Sequence, residues 1–403
     1  VDSRADWLVS PAASAPLADA QALLSDGDAL AAGAALRARH PDLPADLAAA
    51  VLEQADHGRR ARERYGLDTA GLLLTRDGLE AATRPEVARR RARLLAASGA
   101  GRVLDLTGGL GFDVREFLAA GLEVTAVERD PGVAAFLSHN CPAATVVCGD
   151  AVVEAPTLLA GLDENDVVFA DPARRDPTGP REAHTGRARP ERDPERWSPP
   201  WSFVAGVPHP RVLAKVSPGF PVPREWQAEW VSVSRVVVET AVASWPLFAT
   251  RRQAVVIDGS VTTVVPADDG DLPLAPAIGP WVHEPDPAVV RAGAVPTLAR
   301  LEELAAVDPD STWLTSDHSC SSPAVRSYLV TEELAGPPRQ QRRRLAELGV
   351  ERLTVKSRDV DVDPTAVRRA LSVREGGEHV LILTRRGGRS LSVLATPAAA
   401  RSR

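Results

Sequence analysis

The chain has 403 residues, 44% hydrophobic and 25% charged, with a formal net charge of −7. At roughly 100–200 residues per domain this predicts two or three domains of an ordinary soluble globular protein. No run of about 18 apolar residues occurs and the charged start Val1-Asp2-Ser3-Arg4-Ala5-Asp6-Trp7 lacks a signal-peptide layout, so neither membrane attachment nor secretion is expected.

Residues 1–97 read as a helical domain. Ala and Leu recur at helical spacing through Asp19–Arg39 and Ala45–Tyr65 without β-branched runs. Thr83-Arg84-Pro85-Glu86 opens a further helix, with Pro85 suited to its first turn and Glu86 to its dipole, and Ser98-Gly99 ends it. From residue 98 the texture changes. Val-rich runs at Arg102–Leu106, Glu123–Glu128, Thr145–Cys148 and Asp166–Ala170 alternate with helix-like stretches at Asp113–Ala120 and Pro131–Asn140, which predicts an α/β domain over 98–266 with a parallel, doubly wound sheet. Residues 176–201, rich in Pro, Gly and charge, read as a long surface loop. Strands are then expected at Arg211–Val216, Val231–Thr240, Ala254–Asp258 and Val261–Val265. After a Pro-, Asp- and Gly-rich linker, residues 281–400 read as a mixed segment leading into a small α+β domain. Its elements are helices at Arg339–Leu348 and Asp363–Ala370 and strands at Arg352–Ser357, His379–Thr384 and Ser390–Ala395.

The run Val103-Leu104-Asp105-Leu106-Thr107-Gly108-Gly109-Leu110-Gly111 is a buried strand, an acid and a glycine turn, followed by a helix. Glycines let the backbone approach a ligand, and the helix N-terminus favours an electron-rich group. A dinucleotide fingerprint would need glycine at 114, where Val stands. An acid before the glycines suits a cationic ligand such as an ammonium or sulfonium. Glu128 closes the second strand, where it can accept from ribose hydroxyls; Asp150 follows the third, within reach of an adenine amino group; Asp171-Pro172 follows the fourth. All four acids fall at carboxyl ends of strands, where open α/β sheets bind ligands. The expected cofactor is S-adenosylmethionine, with Asp105, Thr107, Gly109, Gly111, Phe112, Asp113, Glu128 and Asp150 as its contacts.

These residues resemble the class I S-adenosylmethionine-dependent methyltransferases. With Leu79-Glu80-Ala81-Ala82-Thr83-Arg84-Pro85, Asp171-Pro172-Ala173-Arg174-Arg175 and Glu284-Pro285-Asp286-Pro287-Ala288, nearly the whole chain resembles a bacterial group of them. That group has a helical N-terminal region and a C-terminal THUMP-like domain. The resemblance implies a Rossmann-like methyltransferase sheet between an all-helical N-terminal domain and a small α+β domain. THUMP domains generally bind RNA. Residues Thr83 to Arg175 also have the layout of trimethylguanosine synthases and other nucleic-acid amino methyltransferases. In such enzymes the stretch after the fourth strand reads Asp/Asn/Ser-Pro-Pro-aromatic, the polar residue accepting from the target NH2 and the ring stacking on the base. Here Asp171 and Pro172 remain, but Ala173 and Arg174 replace the second proline and the ring. Asp171, Pro172 and Arg174 are the expected catalytic residues. Arg174 is suited to stacking on a base or, with Arg175, to holding a phosphate. Phe112, Trp197 and Trp201 are alternative sources of a ring.

All but two of the 47 cationic side chains, Lys215 and Lys356, are arginine, which suits phosphate and base stacking, although a GC-rich genome leaves the same composition. Residues 331–403 carry about +6 against −13 for the rest, which points to RNA as the partner of the C-terminal domain. No metal is expected. Cys141, Cys148 and Cys320 lack ligand spacing, and His139, His184 and His209 have no partner at helical spacing. The expected activity is methylation of an amino or ring nitrogen of RNA in the cytoplasm. A small-molecule or protein methyltransferase with an interaction module is the alternative.

Overall fold

The Ala- and Leu-rich start forms six helices, α1 (Ser3–Leu8), α2 (Ser14–Leu24), α3 (Ala29–Arg39), α4 (Ala45–Tyr65), α5 (Arg76–Ala81) and α6 (Pro85–Ala97). The computed structural model describes residues 3–24, 28–66, 69–174 and 191–398, so residues 25–27, between α2 and α3, lie outside it. The segment Asp19–Arg39, expected to be helical, contributes to α2 and α3. Asp28 caps the second by accepting from the Leu30 and Ala31 amides, satisfying donors that a helix start leaves unpaired. Gly66 in the left-handed region (φ 62°) ends α4. Leu24, Leu36, Val51, Leu73 and Leu74 form a core that extends to Leu110 and Phe136. Asn140 fastens this layer, its side chain bonding the amide and carbonyl of Leu73 and the carbonyl of Leu110.

The chain divides into two compact units, Val1–Val216 with Ala243–Leu247, and Ser217–Val242 with Phe248–Arg403. In the first, the Val-rich runs become five strands. These are β1 (Arg102–Asp105), β2 (Glu123–Glu128), β3 (Thr145–Cys148), β4 (Val167–Ala170) and β5 (Val212–Val216), with helices α7 (Phe112–Ala119), α8 (Pro131–Asn140), α9 (Ala151–Leu159) and α10 (Trp201–Ala205) between them. All pair in parallel in the order β3-β2-β1-β4-β5. β1, β4 and β5 are almost wholly buried, so their sequences are continuous apolar runs, as parallel strands covered on both faces require. The order reverses between β1 and β4, the switch point at which such sheets bind ligands. Of the expected loop 176–201, residues up to 190 lie outside the described residues, as does His184. Its end contains a 3-10 turn at Pro194–Arg196 and the first residue of α10.

In the second unit, the strand expected at Val231–Thr240 is two, β6 (Gln227–Val233) and β7 (Val236–Ala243, its last residue in the first unit). Ser234 and Arg235 break it with φ of 49° and 65°. A uniform run of Val, Ser and Thr hides this turn, which uses neither Gly nor Asn. β8 (Arg252–Asp258) pairs in parallel with β6, and β9 (Val261–Pro266) returns antiparallel through Gly259. Next come β10 (Trp281–Pro285), α11 (Pro287–Ala292), α12 (Val295–Leu301), β11 (Ala305–Ala306), β12 (Leu314–Ser316) and β13 (Val325–Glu333). They are followed by α13 (Pro338–Glu347), β14 (Arg352–Ser357), α14 (Pro364–Leu371), β15 (Arg374–Arg386) and β16 (Arg389–Pro397). The seven strands β10–β16 form one sheet in the order β11-β12-β10-β13-β16-β15-β14, with only β14–β15 parallel. α13 and α14 contribute Leu345 and Leu371 to one core. Trp313, Tyr328, Ile382 and Val393 build another.

β10 and β14 are four strand steps apart, roughly 19 Å in a flat sheet at about 4.8 Å per strand. Yet Lys356 on β14 donates to both carboxylate oxygens of Glu284 on β10 at 3.0 and 2.8 Å, so the sheet curls. Arg358 (3.2 Å) and the Tyr328 hydroxyl (2.9 Å) also donate to Glu284. Burial would raise the Glu284 carboxyl, but Lys356, Arg235 and Arg358 outweigh it and hold it below the ordinary range. Removing one partner of a buried ion cluster strands the others. Glu284→Ala is therefore expected to lower stability by about 3 kcal/mol in urea titration, and an unchanged midpoint would contradict the clasp.

Candidate active site

Asp105 ends β1 at the switch point, and the chain then turns through Thr107-Gly108-Gly109-Leu110-Gly111 into α7. Gly109 and Gly111 have φ of 54° and 86°, a region L-side chains disfavour. Space demands glycine as well. A Cβ on Gly111 would lie 2.4 Å from Cys141 Sγ and 2.8 Å from Leu137 Cδ1, and one on Gly108 2.6 Å from Leu137 Cδ2. The turn is thus pressed against α8, and burial pushes the Cys141 thiol up to about 12, leaving it inert.

The expected acids line one edge of the sheet in strand order. Asp150 stands exposed beyond β3 and caps α9, its Oδ1 accepting from the Val152 amide at 2.8 Å. Glu128 ends β2, and its two oxygens accept from the Gly109 amide (3.0 Å) and the Asp130 amide (2.9 Å), tying the second strand to the glycine turn. Asp105 is 1% exposed. Its Oδ1 accepts from the Thr107 amide (2.8 Å) and hydroxyl (3.2 Å), and among the described residues Oδ2 has no hydrogen bond. Burial, helped by the charges of Asp113 and Asp171, pushes its carboxyl up to about 7. Thr107 also joins the two central strands, because its Oγ1 accepts from the Asp171 amide at 2.6 Å.

Phe112 and Asp113, also expected to contact the cofactor, are engaged by residues of the protein itself. Phe112 packs against the core of the N-terminal helices. Asp113 is buried and pairs with the guanidinium of Arg91, while the Thr83 hydroxyl donates to its Oδ2 at 2.5 Å. Burial would raise its carboxyl, but Arg91, Lys215 and Thr83 outweigh that and hold it below the ordinary range. Sequence reasoning missed the partner of Asp171. Lys215 on β5, itself buried, donates to Asp171 Oδ2 and, at 2.7 Å, to Thr83 Oγ1, and lies 3.9 Å from Asp113. The available signal was a lysine inside the apolar strand Val212-Leu213-Ala214-Lys215-Val216, since a buried cation requires an acid.

Beyond Asp171, Pro172 is buried, Ala173 exposed and Arg174 half-buried. Ala173 forms a two-way backbone bridge with Ser198 (2.7 and 3.1 Å), and the Arg174 carbonyl accepts from the Glu191 amide at 2.7 Å. Trp197 is buried beneath this bridge, its indole donating to the Glu191 carbonyl, which removes it as a stacking ring. Trp201 opens α10, half-buried. Arg175 lies outside the described residues.

Two curated relatives, both described as uncharacterised S-adenosylmethionine-dependent methyltransferases, come from Mycobacterium tuberculosis strains CDC 1551 / Oshkosh and ATCC 25618 / H37Rv. Each is 30% identical over 329 residues, 79% of this chain and 86% of the relative. The chain belongs to the S-adenosylmethionine-dependent methyltransferases. Residues 325–397 match the THUMP domain-like family. A crystal structure from Porphyromonas gingivalis W83, named as a candidate methyltransferase, has the same fold. It is 21% identical and covers 89% of this chain and 92% of its own, at a TM-score of 0.69. The cofactor of this methyltransferase is S-adenosylmethionine, and the residues present fit it. A buried carboxylate with an unoccupied oxygen suits the cofactor's ammonium, and the glycines at 108, 109 and 111 let a ligand approach the backbone.

A bound ammonium favours the ionised form of Asp105. Below pH about 7 binding must therefore expel a proton, and affinity is expected to fall about tenfold per pH unit, levelling off above. Calorimetry with S-adenosylhomocysteine, which carries the same ammonium, checks this. Asp105→Asn should bind more weakly and lose the dependence, whereas a flat profile for the unsubstituted protein would contradict it.

Proposed function

We propose that this methyltransferase modifies a nitrogen of RNA in the cytoplasm, with 1–97 as a helical support, 98–266 as the catalytic domain and 281–400 as the docking domain. The observation that carries the reading is the placement of Asp171-Pro172 at the switch point, with the Asp171 amide bonded to the same Thr107 that holds Asp105. In this reading Asp105 and the turn at Gly109 and Gly111 hold the amino-acid end of the cofactor, Glu128 the ribose and Asp150 the adenine. The bound cofactor supplies a methyl group on a positively charged sulfur.

Asp171 accepts a hydrogen bond from the acceptor's N–H and aims the nitrogen lone pair. Held there, the nitrogen would take the methyl group that the cofactor would supply, and would then lose its proton to water. Catalysis is mainly positioning. Arg174, half-buried and without an acid partner among the described residues, is suited to stacking on the base.

Docking is assigned to α13 and α14. Arg339, Arg342 and Arg369 are exposed there, and no acid among the described residues pairs with them. One observation favours a protein or small-molecule acceptor instead. Arg343, Arg344, Arg368 and Arg374 are each matched by a glutamate, which lowers the positive charge available to phosphates.

Two measurements separate the readings. Purified protein with labelled cofactor should methylate RNA extracted from a strain lacking the gene, and Asp171→Ala should abolish labelling while cofactor binding survives; no labelling by the unsubstituted protein would sink the RNA reading. The combined change Arg339→Glu, Arg342→Glu and Arg369→Glu should weaken RNA retention at least about tenfold and flatten its salt dependence. Unaltered retention would move the docking surface elsewhere.

A further inference from the structure

Lys215 stands on β5, the strand beside β4, with its ammonium at the same edge of the sheet as Asp171. It takes one oxygen of Asp171, Oδ2, while the Asp171 amide is held by Thr107. Backbone and carboxylate are thus both anchored, and Oδ1, which has no hydrogen bond among the described residues, is the oxygen left for a substrate. The anchor is itself braced. Thr83 Oγ1 accepts from Lys215 and donates to Asp113, whose other oxygen is taken by Arg91. Lys215 is hydrogen-bonded to Asp171 and ion-paired with Asp113 at 3.9 Å, so its charge serves both carboxylates.

We infer that Lys215 is a positioning residue that fixes Asp171 as a single-oxygen acceptor, so that the site selects a neutral nitrogen presenting an N–H. This rests on the reading of Asp171 as facing the methyl acceptor. Ion-paired on two sides, Lys215 acts as a cation and not as a base. Asp171, with one oxygen already taken by that ammonium, offers the other as a hydrogen-bond acceptor. An acceptor that must first be deprotonated therefore gains little here, whereas an amino group needs only to be oriented. The cation also offsets the Asp171 carboxylate, so the site attracts a sulfonium less strongly than an unpaired carboxylate would.

The test uses the full chain with Lys215→Met and Lys215→Arg and has two readouts. The first needs no methyl acceptor. It is the ratio of affinities for S-adenosylmethionine and S-adenosylhomocysteine, which differ in the sulfonium charge. Lys215→Met should shift the ratio toward S-adenosylmethionine by at least about threefold, Asp171→Asn should shift it the opposite way, and Lys215→Arg should leave it near the original. The second is methyl transfer to extracted RNA. Lys215→Met should lower kcat about 100-fold with KM changed by less than about threefold, Lys215→Arg should recover most of the loss, and Lys215→Met with Asp171→Asn should be no worse than Asp171→Asn alone.

An unchanged ratio together with unchanged kcat would overturn the inference. So would a Lys215→Met protein that loses both cofactors equally and melts early while Lys215→Arg behaves the same way, because that pattern is a folding defect. A shifted ratio with no RNA labelled by the unsubstituted protein would retain Lys215 as the anchor of Asp171 and remove RNA as the acceptor.

Discussion

Three carboxylates, Asp105, Asp113 and Asp171, crowd behind one turn of the chain, and the site exists because their repulsion is managed. Asp113 and Asp171 both raise the Asp105 carboxyl, on top of its burial. Arg91 offsets Asp113, Lys215 offsets Asp171, and Thr83 and Thr107 share hydrogen bonds between the groups. Asp105 alone is bonded to no cation among the described residues. A cationic ligand completes the set, which is why a buried acid at this position favours a positively charged cofactor over a neutral or anionic one.

This arrangement gives the N-terminal helices a share in the chemistry. They lie before the sheet in sequence, yet α6 carries Arg91 and the approach to α6 carries Thr83. Their core extends to Leu110 inside the glycine turn, and Asn140 bonds both Leu73 and Leu110. The helical layer therefore packs against the glycine turn and, through Thr83 and Lys215, is linked to Asp171.

Much of this was legible from residue order. β2, β3, α4, α6, α8 and β14 start and end where periodicity places them, because each is a local pattern bounded by Gly, Pro, Asn or Asp. The acids at the strand ends were legible for the same reason, since strand, turn and helix follow one another directly. What escaped was long-range. Lys215 meets Thr83 across 132 positions and Asp171 across 44, and no local period encodes that. Asp113 looked like a ligand for the cofactor because it opens α7 beside the glycines, but its direction is set by Arg91, 22 residues earlier. The β6–β7 turn escaped because Ser234 and Arg235 adopt positive φ without glycine. The charge of the C-terminal domain was countable, but not its pairing, which neutralises some arginines and leaves others exposed.

In the proposed binding mode, one edge of the sheet, from Asp150 through Glu128 and Asp105 to Asp171, receives the cofactor with its reactive end toward the Lys215–Asp171 pair. A crystal structure of the full chain with S-adenosylhomocysteine tests this most directly. The ammonium is expected on Asp105 Oδ2, the ribose hydroxyls on Glu128, the adenine beside Asp150 and the sulfur nearest Asp171. A cofactor bound in the reverse direction, or away from this edge with Asp105 still buried and unpaired, would contradict it.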